Sequence, residues 1–372
     1  MLTKEKPGEK IINEVTIDSV MTNALHAFEE YKKVSALKRA AFLEEIANQI
    51  KFITEDLITI SSEETNLPAP RLQGEITRTI FQLHLFADLL KEGSWIQAGI
   101  DTALPDRKPL PKPDLRKMLV PIGPIIVFGA SNFPFAYSTA GGDTASALAT
   151  GCSVVVKAHP AHLKTSIMVS DAIGRAIKNC NMPQYVFQHV KETGNDAGKA
   201  LVQHSNTAGV GFTGSLAGGK ALHNYSQERE NPIPVFAEMG STNPVIFLPE
   251  TLQKNKEALA KQYAFSITQS MGQFCTNPGL LIGIDSPDLN EFIKQLGNEM
   301  LKVTPSPMLH KGIQNSYDKK LAELLSQKNI ELVDQNKNNA NGTPAPTIAT
   351  VDAETFLNNH MLAEEIFGPS SL

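Results

Sequence analysis

Tryptophan occurs once and cysteine three times in these 372 residues, and Cys152, Cys180 and Cys275 form no C-x-x-C pair. An odd count without paired spacing argues against a disulfide framework or structural zinc and fits reduced thiols in a cytosol. No metal is expected. No run of about 18 apolar residues occurs, so a membrane-spanning helix has no candidate. The polar opening MLTKEKPGEKIINEV lacks the apolar core of a secretory signal. A cytoplasmic protein is expected. Blocks of like charge are also missing: 34 basic against 39 acidic residues leave a net charge of −5, offering neither a nucleic-acid surface nor a basic membrane-binding face.

What is present is a globular composition, 41% hydrophobic and 20% charged, over a length that suits two domains. Helical spacing dominates from Ile17 to Gly93. Val20, Ala24, Ala27, Phe28 and Tyr31 form one apolar stripe; Leu37, Ala40, Ala41, Phe42, Leu43 and Ile46 form a second. Pro68 and Pro70 punctuate before a further helix to Leu90. The proline-rich, basic stretch LPDRKPLPKPDLRK, 104–117, reads as an extended crossing segment or edge strand. Beyond it PIIVF, SVVVK, YVFQHV, AGVGF and PVFAE alternate with helical patterns, the signature of a parallel sheet with crossover helices. A second alternation follows Gly240, with strands at NPVIFL and LLIGI around a helix over 252–270. QNKNNANGTPAP reads as a solvated loop, and no internal repeat is present.

Two glycine motifs need discounting. GVGFTG, 209–214, matches G-x-G-x-x-G, but Gly209 and Gly211 fall inside a strand, where tight packing explains them. The turn is expected at Gly214, so that GSLAGG forms the phosphate-side loop with Ser215 and a helix N-terminus as donors. GSLAGGKA also approaches the phosphate loop of nucleoside triphosphatases. Ala221 stands where that loop needs a hydroxyl for magnesium. The stretch MGQFCTNPG, 271–279, sets Cys275 among turn formers between an amphipathic helix and an apolar strand. On spacing alone it is either a small buried hydrophobe or a nucleophile.

Taken together, SNFP (131–134), VVVK (154–157), GFTGS (211–215), AEMGSTNP (237–244), GQFCT (272–276) and EEIFGP (364–369) resemble the aldehyde dehydrogenase superfamily in content, order and spacing. The variants VVVKAHPAH and AEMGSTNP look most similar to the bacterial branch that oxidises alpha-ketoglutaric semialdehyde (2,5-dioxopentanoate). The resemblance implies an α/β fold with three αβα layers. It implies a Rossmann-type dinucleotide-binding domain over 1–107 and 122–239, a bridging or oligomerisation segment over 108–121, and a catalytic domain over 240–372.

It also implies roles. Cys275 would attack the aldehyde as thiolate, and Asn132 with the backbone N–H of Cys275 would stabilise the oxyanion. Glu238 would activate the water that cleaves the thioester, a residue that acyl transfer to coenzyme A generally lacks. Gly214, Ser215 and Gly219 would line the phosphates, Lys157 and His159 the adenosine ribose, and Glu365 and Phe367 the nicotinamide side. Pro160 occupies the position of a family Glu that holds the 2′-hydroxyl, so NADP is expected to be accepted and preferred, with NAD possible.

Arg78, on the helix GEITRTIFQLHLFADLL, is nominated for the far carboxylate of the substrate. Cys152 and Cys180 are read as packing residues. Since family members are longer, the chain is expected to lack the end of the catalytic domain and to fold poorly or be inactive alone. A homodimer or homotetramer is expected of the full-length protein. The alternatives are another semialdehyde or a fatty aldehyde as substrate, or a fragment that only binds nucleotide.

Overall fold

Hydroxyl caps start the helical N-terminal region. In this computed structural model, which describes residues 16–192, 194–335 and 343–372, Thr16 and Ser35 accept from the N–H groups of Ser19 and Lys38. They open α1 (Ile17–Tyr31) and α2 (Ala36–Phe52). The α3 helix (Thr54–Thr65) ends at left-handed Asn66; α4 (Ala69–Glu92) starts after Pro68 and stops at Gly93, φ 88°. The first 15 residues and 336–342 of the polar loop lie outside the described residues.

The α1 stripe is buried throughout, but the α2 stripe departs from expectation. Leu37 is 67% exposed and Ala41 also faces out. A helix has one inward face, and on α2 it runs through Ala40, Leu43, Ala47 and Ile50. The 104–117 stretch contributes β2 (Leu115–Lys117), which pairs antiparallel with β1 (Gly99–Asp101) in a ribbon. Ile100, Leu115 and Met118 are exposed there.

Five short apolar runs then form a parallel sheet: β3 (Ile125–Phe128), β4 (Val154–Lys157), β5 (Phe187–Val190), β6 (Gly209–Thr213) and β7 (Val235–Glu238), in the order β5-β4-β3-β6-β7. Between them run α5 (Gly142–Thr150), α6 (Leu163–Asn179), α7 (Asn195–Gln203) and α8 (Leu216–Gln227). Strand alternation sorts the two faces. Val127, Val154 and Val156 pack with α2, α4, α5 and α6, while Ile126, Val155 and Val210 pack with α1, α7 and α8. Three αβα layers result.

The remaining elements are β8 (Pro244–Phe247), α9 (Pro249–Thr268), β9 (Leu280–Gly283), α10 (Pro287–Leu301), α11 (Lys311–Leu325), β10 (Glu331–Gln335), β11 (Thr347–Thr350), α12 (Ala353–Asn358) and β12 (Ser370–Ser371). Strands β8 and β9 are parallel, and β10, β11 and β12 form a mixed sheet. Leu281 N–H donates to Leu372 O and Leu372 N–H to Gly279 O, which joins the two sets of strands. Phe247, Ile267, Phe292 and Leu296 form the core beneath them.

Candidate active site

The parallel register aligns the strand ends. Phe128 pairs with Lys157 and with Phe212, and Thr213 with Glu238, so the chain leaves β3, β4, β6 and β7 along one edge. This is where open α/β sheets bind ligands, at the reversal of strand order. From that edge depart the loops carrying Asn132, His159, Ser215 and Ser241.

The Cys275 loop enters from the other half of the chain. It leaves α9 through a left-handed turn, with φ of 47° at Ser270, 55° at Met271 and 65° at Gly272. A Cβ at Gly272 would lie 2.1 Å from Gly368 O, so only glycine fits between the loop and the Gly368–Pro369 backbone. Two side chains then hold the backbone of Cys275. Ser241 Oγ donates to Cys275 O at 2.6 Å and Asn243 Nδ2 donates to the same oxygen at 2.8 Å. Asn243 Nδ2 also reaches Asn277 O at 2.9 Å, and Asn277 Nδ2 reaches Gly368 O at 3.0 Å. Ser241 and Asn243 lie in the AEMGSTNP motif but were given no role in the sequence reading, although a polar S-T-N cluster directly after a strand end was a signal.

Asn132 Nδ2 donates to Gln273 O at 3.1 Å, which ties the loop after β3 to the residue two before Cys275. The amide carries a second N–H. Gln273 is buried and is held in turn, Oε1 accepting from Leu309 N–H and Nε2 donating to Ser270 O. Glu238 closes β7 with its side chain exposed, and its carbonyl accepts from Gly214 N–H at 3.0 Å.

Two residues on, a Cβ at Gly240 would meet Glu365 Oε2 at 2.2 Å. Burial raises the Glu365 carboxyl above the usual carboxylate range, opposed by the Ser241 N–H and by Lys320. Ser241 is thus a junction, its hydroxyl on Cys275 and its amide on Glu365. Phe367 is half-buried in the same segment.

Among the residues expected at the dinucleotide, Lys157 ends β4 buried, and desolvation lowers its pKa against the pull of Glu192. His159 Nδ1 accepts from Ala161 N–H at 3.1 Å, and its ring stacks on His162 at 5.4 Å. Burial first, then His162, His310 and Lys157, lower its pKa to about 3, so the imidazole is neutral and brings no charge to a phosphate. Ser215 Oγ caps α8 by accepting from Gly218 N–H. Gly219 is required by Met239, whose Cγ would lie 2.4 Å from an added Cβ. Gly211 sits within β6 against Asp143, 2.9 Å from the position of a Cβ, which is the tight packing expected of the GVGFTG glycines.

Arg78 is exposed and donates to Tyr137 Oη at 2.6 Å, with its guanidinium 5.9 Å from the Phe133 ring. Phe133 meets Phe274, the neighbour of Cys275, edge-on at 5.5 Å. Cys152 is buried, and Cys180 is half-buried with its pKa raised by burial. Among the described residues, no group of three or more His, Cys, Asp or Glu could hold a metal ion, and no helix is long and apolar enough to cross a membrane.

The αβα fold, with the Cys275 loop beside a candidate dinucleotide edge, is that of an oxidoreductase of the NAD(P)-dependent aldehyde dehydrogenase class. The sequence profile of the aldehyde dehydrogenase family matches residues 10–370, and the chain belongs to that family. It is 43% identical to alpha-ketoglutaric semialdehyde dehydrogenase of Acinetobacter baylyi, over 100% of this chain and 71% of that protein. It is 45% identical to alpha-ketoglutaric semialdehyde dehydrogenase 2 of Azospirillum brasilense, over 94% of this chain and 67% of that protein. Among solved structures, betaine aldehyde dehydrogenase of Staphylococcus aureus in complex with NAD+ superposes with a TM-score of 0.82 at 19% identity, covering 95% of this chain and 70% of that one. Salicylaldehyde dehydrogenase of Pseudomonas putida G7 gives 0.79 at 18%, covering 95% and 71%.

The left-handed turn yields a test. Gly272→Ala must displace either its own loop or Gly368, and is expected to cost about 2–4 kcal/mol by urea denaturation. Gly279→Ala, whose nearest neighbour is Thr242 Cγ2 at 3.5 Å, is expected to be nearly neutral.

Proposed function

We propose that the full-length protein oxidises 2,5-dioxopentanoate to 2-oxoglutarate with NADP through a thioester on Cys275. The substrate assignment rests on the 43% and 45% identity to the two alpha-ketoglutaric semialdehyde dehydrogenases. The observation that carries the mechanism is the meeting of the Asn132, Cys275 and Glu365 segments through Gln273 O and Ser241.

In this reading the Cys275 thiolate forms a C–S bond to the aldehyde carbon and charge passes to the carbonyl oxygen. The remaining N–H of Asn132 stabilises that charge, a contribution of about 3–4 kcal/mol for a preorganised donor. A nicotinamide held beside Glu365 and Phe367 would supply the acceptor for the hydride of that adduct. Glu238 takes a proton from water, which attacks the thioester carbon, breaks the C–S bond and frees the acid and the thiol.

The donor set suits a dinucleotide: the capped N-terminus of α8 for phosphate, Lys157 and His159 for the adenosine ribose, and Glu365 with Phe367 for the nicotinamide side. Pro160 presents no carboxylate to a 2′-phosphate, and this supports NADP. In this assignment residues 122–239 carry the cofactor and 240–372 the nucleophile. A cytoplasmic homodimer or homotetramer completes the proposal, supported by the exposed apolar residues of the β1–β2 ribbon.

Three measurements test it. With Glu238→Gln, substrate and NADP, mass spectrometry is expected to find an acyl adduct on Cys275 that Cys275→Ala lacks; absence of an adduct removes the thioester. The kcat/KM ratio is expected to favour NADP, and a tenfold preference for NAD would reverse the cofactor assignment. Arg78→Met is expected to raise KM for the dicarboxylate-type substrate by roughly tenfold, the value of a charge-assisted hydrogen bond, and to spare a neutral aldehyde of similar size.

A further inference from the structure

Next to the reacting groups lies an ion pair that no step above uses. Arg71 and Glu75 stand one turn apart on α4, joined at 2.8 Å, with side-chain exposures of 12% and 3%. Glu75 Oε1 accepts from Phe135 N–H at 2.8 Å and Ala136 N–H at 3.0 Å, in the loop that carries Asn132. Arg71 Nη2 donates to Asn132 O at 2.7 Å. The same guanidinium lies 4.7 Å from the Phe133 ring centroid and 5.1 Å from that of Phe274.

One buried pair therefore touches the backbone of the oxyanion donor and the side chain preceding the nucleophile. Burial raises the Glu75 carboxyl, and Arg71 with the two backbone N–H groups opposes the shift. The carboxylate that the pair requires is kept only while those partners stay in place.

We infer that Arg71 and Glu75 are positioning residues for oxyanion formation, fixing the Asn132 amide relative to Cys275. The inference rests on the thioester reading but concerns residues outside it. An oxyanion donor acts only where charge will develop, so a small displacement of Asn132 removes its effect while leaving the thiol in place.

Two reactions of Cys275 separate these effects without cofactor or natural substrate. Acylation by p-nitrophenyl acetate passes through a tetrahedral oxyanion: the sulfur bonds the carbonyl carbon, and nitrophenolate departs. Alkylation by iodoacetamide displaces iodide at a saturated carbon and forms no oxyanion. Arg71→Lys keeps a cation for Glu75 but cannot also span to Asn132 O and lie against both rings. It is expected to slow acylation roughly 10-fold or more, a fraction of the 10²–10³ lost with a whole donor, while alkylation changes less than about twofold. Arg71→Met should do the same more strongly.

In an Asn132→Ala background neither substitution should slow acylation further, since the group they position is gone. Equal losses in both reactions, unchanged acylation in Arg71→Lys, or additivity with Asn132→Ala would each overturn the inference. If the unmodified protein shows alkylation but no acylation at Cys275, the thioester reading fails, and this inference with it.

Discussion

Parallel pairing of five short strands is the constraint from which the candidate site follows. Because neighbouring strands run in the same direction and in register, their carboxyl ends fall on one edge, and every loop leaving that edge starts from a fixed backbone position. Loops are otherwise the least determined part of a fold. Here their origins are set by Val154, Val155 and Val156 burying opposite faces of a strand between two helical layers. The hydrophobic effect thus places the chemistry indirectly, by deciding where polar loops begin.

Beyond those origins, side-chain-to-backbone hydrogen bonds take over. Ser241 and Asn243 both donate to Cys275 O, Asn132 to Gln273 O, and Asn277 to Gly368 O. None is a strong interaction on its own, each worth about 1 kcal/mol net. Their collective effect is geometric: carbonyls of the Cys275 loop are occupied, so its orientation is restricted. The three left-handed residues from Ser270 to Gly272 are the backbone conformation this requires, and the close approach of Gly368 holds them there.

Legibility in the sequence follows the range of the interaction. The strands β3 and β4 were legible because four and three consecutive β-branched or aromatic residues have a local cause and a local consequence, and β5, β6 and β7 because shorter apolar runs alternate with helical patterns. Gly209 and Gly211 were separable from a nucleotide fingerprint because strand and turn positions differ by counting. The second stripe on α2 was overdrawn: Leu37 and Ala41 are apolar but face out, and composition cannot tell which apolar side chains share a face when they crowd a helix. The contacts of Arg71, Glu75 and Ser241 with the candidate site were illegible for a different reason, although the motif around Ser241 was not. Their partners, Asn132, Phe135 and Cys275, lie 61, 60 and 34 positions away, and no period or spacing encodes that distance.

The histidines around the candidate dinucleotide edge show how burial redirects a residue type. His159 and His162 stack, His310 approaches from the segment before α11, and His162 Nε2 holds Ala130 O at 2.9 Å, three residues from Phe133. Burial lowers the pKa of all three, most plainly that of His159, so the ring beside Lys157 is neutral. A phosphate near His159 would then gain an N–H and no net charge, leaving the cation to Lys157. The proposed preference for a 2′-phosphate therefore rests more on the missing carboxylate at Pro160 than on the imidazole beside it. Discrimination of this kind removes a penalty without adding an attraction, and it predicts a moderate preference that retains activity with the other dinucleotide.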